Sequence, residues 1–477
     1  MDACLTSRDR HSKDSWEGWG EGRLLGPSGG ERRFALLACL FPASEVHPPE
    51  PTEAKIKVRA EMDSYSDPRE MLANTSLVER FLQYVKIHTT SDEHSDSSPS
   101  TERQFELARL LVEELTALGL TDAAVDENCY VTATLPGTVE GKEAVGLIAH
   151  LDTSPAASGE NVSPILHEEF DGSPIELADG VVIAPDDNPE LGECIGDTII
   201  TADGTTLLGA DDKAGIAVIM SALEVYQKNP ELPRPTIRVA FTPDEEIGRG
   251  TAHFPMDTFG ADVAFTIDGS FDGEVNVETF HADSAWVTIT GVSTHPGTAK
   301  GKLVNALRHM AVFLSRLPAE LSPECTEGRE GFIHPYELTG DASSCRCHLI
   351  LRDFDRDALT ALGEQIGQIA DSVQSDEPRL RVEVEIKPSY PNMFEYLKDR
   401  PAIAERLQEA VRRAGIEPDL APVRGGTDGS KLTEMGLPCP NIFAGGVNFH
   451  GPTEWISTRS MALSLCTVLN LMTLYAD

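Results

Sequence analysis

The sequence predicts an α/β protein: a larger domain with a mixed sheet, and a smaller domain inserted into it. Three observations carry that expectation. The short, mainly apolar runs Val145–Ala149, Ile237–Phe241 and Val263–Ile267 read as strands buried in the middle of a sheet. Between the first two lies Ile216–Tyr226, helical in period and free of Gly and Pro, which gives a β-α-β alternation. From residue 284 to 393 the order becomes β-α-β-β-α-β, which fits an open-faced, ferredoxin-like sandwich. A chain of 477 residues is long enough for two such domains.

Taken in order, residues 1–66 are rich in Gly, Pro, Ser and mixed charge without a sustained period, and are expected to be a disordered leader. The first part of the larger domain spans 67–283. Its structure is expected to begin near Ser76, where Ser76 and Glu79 form a capping box before the apolar stripe Leu77, Phe81, Leu82, Val85. A second box, Thr101 to Gln104, opens a helix with Phe105, Ala108, Val112 and Leu115 on one face, and Gly119 closes it.

The inserted domain, 284–393, reads as strand Trp286–Thr290, helix Leu303–Leu317, two strands around Tyr336 and Leu349, helix Leu359–Val373 and strand Leu380–Ile386. In that last strand Leu380, Val382, Val384 and Ile386 alternate with Arg381, Glu383 and Glu385, as on a sheet with one wet face. Residues 394–477 return to the larger domain with helix Ala402–Ala414, strand Asn441–Phe443 and helix Met461–Met472.

Charge narrows the function classes. Lys and Arg number 39 against 78 Asp and Glu, a net charge of -39 spread along the chain. Such a field repels phosphates and anionic membranes, so no nucleic-acid partner and no membrane partner are expected, whereas cations and free amines are attracted. The nine cysteines are scattered, and the Cys345-x-Cys347 pair sits in a strand, which argues against a disulfide scaffold or a zinc ribbon. No apolar run approaches the roughly 18 residues that span a bilayer. Leu36 to Cys39 has a lipobox flavour, yet only two apolar residues precede it, so a cytoplasmic protein is expected.

Chemistry gathers at strand ends. His150 and Asp152 follow the first apolar run, at the place where open α/β sheets put their sites. Asp211 and Asp212 lead into a helix, where carboxylates also serve as plain caps. Asp244, Glu245 and Glu246 follow the second run, where a solvated acidic loop is the bland alternative. Asp268 ends the third run, and His450 follows the late strand. A structural explanation must treat each of these separately, whereas one metal site accounts for all of them. Two imidazoles and three carboxylates exceed the three protein ligands of a single catalytic zinc and suit two metals sharing a carboxylate. Glu245, next to the ligand Glu246, is then available as general base.

These segments, together with Thr294-His295-Pro296-Gly297-Thr298-Ala299-Lys300-Gly301, Arg424-Gly425-Gly426-Thr427-Asp428-Gly429 and Phe449-His450-Gly451, closely resemble the M20 metallopeptidases, and among them the peptidase T group of tripeptide aminopeptidases. The resemblance runs in order from about Leu77 to the C-terminus and leaves out the leader. It departs at Ser270, where the family often has Gly, and at Pro452-Thr453.

The resemblance implies a zinc-peptidase-like catalytic domain with a lid, holding two Zn2+ ions per subunit. His150 and Asp268 would hold one zinc, Glu246 and His450 the other, and Asp211 would bridge. Asp152 would orient His150. Glu245 would take a proton from the bridging water and return it to the leaving amine. His295 would stabilise the oxyanion after the lid closes, and Arg424 would hold an anionic part of the substrate with help from Arg352. The bland roles for these three are a turn at His295, a surface cation at Arg424 and a lid salt bridge from Arg352 to Asp353 or Asp355. The resemblance also implies a cis peptide between Asp211 and Asp212.

The expected substrates are short peptides with a free N-terminal amine, from which the N-terminal residue is released. A different M20-type activity, as dipeptidase, carboxypeptidase or N-acyl amino acid deacylase, is the alternative. A homodimer through the lid is a further expectation.

Overall fold

The computed structural model describes residues 64–477. The leader expected over residues 1–66 therefore lies outside the described residues up to position 63. Helical structure is present before Ser76. The Tyr65 N–H donates to Asn470 Oδ1 at 2.7 Å, and a short helix, Pro68–Asn74, is capped by the Asp67 side chain.

The larger domain is organised by a seven-stranded mixed sheet. Four strands, Ile237–Thr242, Val145–His150, Val263–Gly269 and Asn441–Phe443, lie side by side and parallel. Val131–Leu135 and Val275–Asn276 pair antiparallel outside them. Every residue of Val145–His150 is buried, as a central parallel strand covered on both faces requires. Helix Ala210–Lys228 crosses over between Val145–His150 and Ile237–Thr242 and is buried from Ala214 to Tyr226. Gly215 permits its close approach, because a Cβ there would lie 2.1 Å from the Ile267 carbonyl oxygen. Parallel strands point their C-terminal ends to one edge, so His150, Glu245 and Asp268 arrive there together.

Residues Ala285 to Val382 have their own apolar core. Their four strands, His281–Thr290, Phe332–Gly340, Ser344–Asp353 and Arg381–Tyr390, form an antiparallel sheet with His281–Thr290 and Ser344–Asp353 in the centre. Helices Ala306–Arg316 and Arg356–Asp376 cover one face. Burying one side chain such as Phe313 or Leu349 there contributes about 1.5–3 kcal/mol.

Several local expectations are corrected. Ser76 makes no side-chain cap; its N–H and hydroxyl go to Glu224, whose carboxylate also pairs with Arg80 and Lys228. A buried carboxylate on the neighbouring helix thus displaces the local partner Glu79. The second helix starts at Gln104, and Thr101 instead donates to the Thr90 carbonyl. Its buried face runs through Leu107, Ala108, Leu111 and Leu115, with Phe105 and Val112 only partly buried, because Gln104 turns inward to Asp244. In Arg381–Tyr390 the residues Val384 and Ile386 are exposed at the edge of the sheet, although Ile386 lies beside Gly363 of helix Arg356–Asp376. A second small sheet, with strands at Ile165–His167, Ile199–Thr201, Gly446–Val447 and Trp455–Ser457, was not anticipated.

Candidate active site

The site sits where the parallel strands run out. His150 is the last residue of its strand and is 3% exposed, held from behind by the Asp152 carbonyl 3.0 Å from Nδ1 and the Asp152 carboxylate at 3.4 Å. The Asp152 carboxylate also accepts the backbone N–H groups of Glu245 and Glu246, at 2.9 and 3.2 Å. One carboxylate thereby fixes both the His150 ring and the acidic turn.

Asp211 lies between two imidazoles: Oδ1 is 2.7 Å from His150 Nε2, and Oδ2 is 3.1 Å from His450 Nε2. Asp268 Oδ1 is 3.6 Å from His150 Nε2, and Glu246 Oε2 is 2.9 Å from His450 Nε2. The five residues therefore divide into two sets that share Asp211. The peptide joining Asp211 to Asp212 is cis, and both residues depart from helical dihedrals at the start of their helix.

The three consecutive acids have separate uses. Asp244, in the left-handed region at φ 57°, turns its carboxylate away to Ser100 and Gln104, with hydrogen bonds of 2.5–2.7 Å. Glu245 and Glu246 form a short 3-10 turn facing the cavity. His450 also adopts a left-handed conformation, φ 64°.

The electrostatics are those of crowded carboxylates. Burial, and then the Asp211 charge, push Asp268 and Glu246 each up to about 7. Burial, with Asp428 and Asp268 adding repulsion, raises Glu245 well above its ordinary range. Hydrogen bonds to Asp211 and Glu246 raise His450 to about 11. Burial opposes a charge on His150, but hydrogen bonds to Asp152, Asp211 and Asp268 outweigh it and raise the imidazole. Burial likewise opposes the Asp211 charge, yet the two histidines hold its carboxylate well below the usual range.

This donor set fits divalent cations. Glu246 Oε1 is buried without a hydrogen-bond partner, and His150, Asp211 and Glu246 place ligand atoms within 4.8 Å of one another. Cations there replace mutual repulsion by attraction. His150, Asp212 and Asp268 form another such group, but both Asp212 oxygens are engaged by the backbone N–H groups of His150 and Gly215.

A cavity of about 630 Å³ opens beside the acids. Glu245, Glu246, Asp428 and His450 line one side; Arg352, Arg424 and Lys431 contribute positive charge to the rest. Arg424 is already engaged. Its guanidinium donates to the carbonyls of Gly328, Glu330 and Thr326 and to the Thr326 hydroxyl, and it lies over Phe280 and Phe332. Arg352 lies over the Tyr390 ring and makes no ion pair with Asp353 or Asp355 among those found in the described residues. His295 is exposed and does not line this cavity; its Nδ1 accepts the Gly297 N–H, which leaves the ring proton on Nε2.

Sequence reasoning missed four buried polar groups. Asp428 starts helix Asp428–Glu434, accepts from the Thr242 hydroxyl and is pushed up to about 6 by burial. The Tyr390 hydroxyl is buried without a hydrogen-bond partner beside the cavity. Asp212 and Glu454 grip backbone N–H groups around the site. Only Asp212 and Asp428, inside quoted motifs, gave any local signal.

The family model for peptidase family M20/M25/M40 matches residues 203–473. Peptidase T of Shouchella clausii (strain KSM-K16) is 47% identical over 402 residues, covering 84% of this chain and 98% of that protein. In fold, the chain matches the crystal structure of the aminopeptidase PepT from Bacillus cereus ATCC 10987 with a TM-score of 0.65 at 21% identity. It matches that of a tripeptidase from Staphylococcus aureus with 0.66 at 24%. Each comparison covers 84% of this chain and 98% of the other.

Proposed function

The chain belongs to peptidase family M20, and from that premise we propose how it works as a metal-dependent tripeptide aminopeptidase. The observation that carries the mechanism is Asp211 set between His150 and His450, with Glu245 on the adjoining cavity wall. His150, Asp268 and Asp211 would hold one divalent cation, and His450, Glu246 and Asp211 a second, with zinc as the metal. When bound, the pair supplies Lewis-acid polarisation of the peptide carbonyl and acidifies the attacking water.

Glu245 takes the proton from that water and passes it to the leaving amine. A base with a raised proton affinity suits an acceptor that must hand the proton on. Asp152 keeps the His150 ring oriented and the Glu245 N–H fixed. The acidic side of the cavity favours the free N-terminal amine, and Arg352 and Lys431 favour the C-terminal carboxylate. His295, with its proton on Nε2, donates to the developing oxyanion once the lid closes. Arg424 shapes the same wall by holding the lid loop.

Among the described residues no helix is long and apolar enough to cross a membrane, and we place the enzyme in the cytoplasm. The lid edges expose Tyr336 and Leu338 on one side and Val384 and Ile386 on the other, which favours pairing with a second copy there. Ala-Ala, Ala-Ala-Ala, tetra-alanine and N-acetylated tri-alanine, each assayed with zinc and after chelation, test the reading. Cleavage should peak at tri-alanine, vanish on acetylation and vanish without metal. Preference for the acetylated peptide or for the dipeptide would move the chain to another M20 activity.

A further inference from the structure

We propose that Glu454 is a positioning residue for the metal site: its buried carboxylate fixes the backbone of the turn that presents Asp211. The inference rests on the two-metal reading above.

Glu454 is 1% exposed and does not line the cavity. Its Oε2 accepts the N–H groups of Leu208 and Gly209, at 2.7 and 2.8 Å, and Oε1 accepts the Asp211 N–H at 3.2 Å. Leu208 and Gly209 immediately precede helix Ala210–Lys228 and Asp211 is its second residue, where the first N–H groups have no partners within the helix. A capping side chain normally serves them, but the capping position is Gly209, at φ 82°, a conformation that glycine takes without strain. The cap therefore comes from a residue 243–246 positions away in sequence. A carboxylate suits the task, because two acceptor oxygens meet three donors.

The position of Glu454 is itself fixed. It adjoins Trp455, which is fully buried and paired with Thr201 in the small sheet. His450 lies four residues earlier in the same loop and touches Asp211 Oδ2. One loop thus holds Asp211 at both ends, the side chain through His450 and the backbone through Glu454. Because Asp211 faces His150 through one oxygen and His450 through the other, a tilt of its backbone disturbs both metal positions at once. Loss of the carboxylate should act on metal retention and leave substrate binding alone.

The test compares full-length wild type with Glu454→Gln after chelation, with Zn2+ as the titrant, by calorimetry and by elemental analysis. Gln keeps the size but presents an amide N–H₂ to backbone donors. The expected result is a 10- to 100-fold weaker apparent zinc affinity, with kcat restored by excess zinc and KM for tri-alanine unchanged. Wild-type zinc affinity in a folded Glu454→Gln would overturn the inference, as would a loss of kcat that zinc does not restore. A wild type that binds no zinc would instead sink the two-metal reading itself. Hydrogen exchange on metal-free wild type needs no variant: the amides of Leu208, Gly209 and Asp211 should stay protected, because their acceptor is Glu454. Fast exchange there would also overturn the inference.

Discussion

The acidic floor of the site and the cationic wall of the adjoining cavity are held in different ways. The floor residues His150, Asp211, Glu246 and Asp268, of which Glu246 also lines the cavity, stand at strand and helix ends of the buried parallel sheet, with side chains 3–11% exposed. Each is fixed by neighbours: His150 by Asp152, the Glu246 N–H by the same carboxylate, the Asp211 turn by Glu454 and the Asp268 N–H by Asn441 Oδ1. The wall draws Arg352 from the uncovered face of the lid sheet and Arg424 from a loop of the larger domain that grips the lid. His295 stands on the lid surface outside the cavity. Groups whose chemistry tolerates little displacement are built on the buried sheet, and the cationic groups come from a second sheet and from a loop that Arg424 ties to it.

That contrast can be broken at several points. The largest effect outside the floor should come from His295→Ala, which removes an interaction made mainly in the transition state. kcat should fall by roughly 10²-fold or more while zinc content stays at the wild-type value. An unchanged kcat would leave His295 as a turn former. Arg424→Lys should act more weakly, because a lysine cannot serve the several acceptors on Thr326, Gly328 and Glu330 together. KM for tri-alanine should rise several-fold with little change in kcat or zinc content; loss of zinc would show that floor and wall are not independent. Removing residues 1–63 should do least. Tyr65, which bonds Asn470, and Asp67, which caps the first helix, are both retained. kcat/KM and Tm should stay within error, and a marked drop in either would give the leader a role in the body of the enzyme.

The same contrast explains what the sequence discloses. The runs Val145–Ala149, Ile237–Phe241 and Val263–Ile267 are mostly apolar, Arg238 and Thr266 excepted, because both faces are covered, and the proposed site residues follow each run within a few positions. Local pattern therefore points to His150, the acidic triplet and Asp268. Glu454 is invisible in this way: its partners lie some 245 positions distant, and nothing around it marks a cap. Tyr390 lies beyond the strand read at Leu380–Ile386, and only the fold brings it to the cavity. The Ser76 capping box fails for the same reason, since Glu224 from another helix outcompetes Glu79. The small sheet escapes notice because its strands are two or three residues long and its halves meet only where Ile199–Thr201 pairs with the distant Trp455–Ser457.

The division of labour between the adjacent glutamates is the centre of the mechanism, and metal stoichiometry beside kcat for Glu245→Gln and Glu246→Gln tests it most directly. Glu245→Gln should keep two metals and lose roughly 10²- to 10⁴-fold in kcat, the contribution of a general base. Glu246→Gln should bind one metal weakly and recover part of its activity in excess zinc. A Glu245→Gln enzyme that loses a metal beside a Glu246→Gln enzyme that keeps both would reverse the two roles, and full activity in both would reduce the acidic turn to a solvated loop.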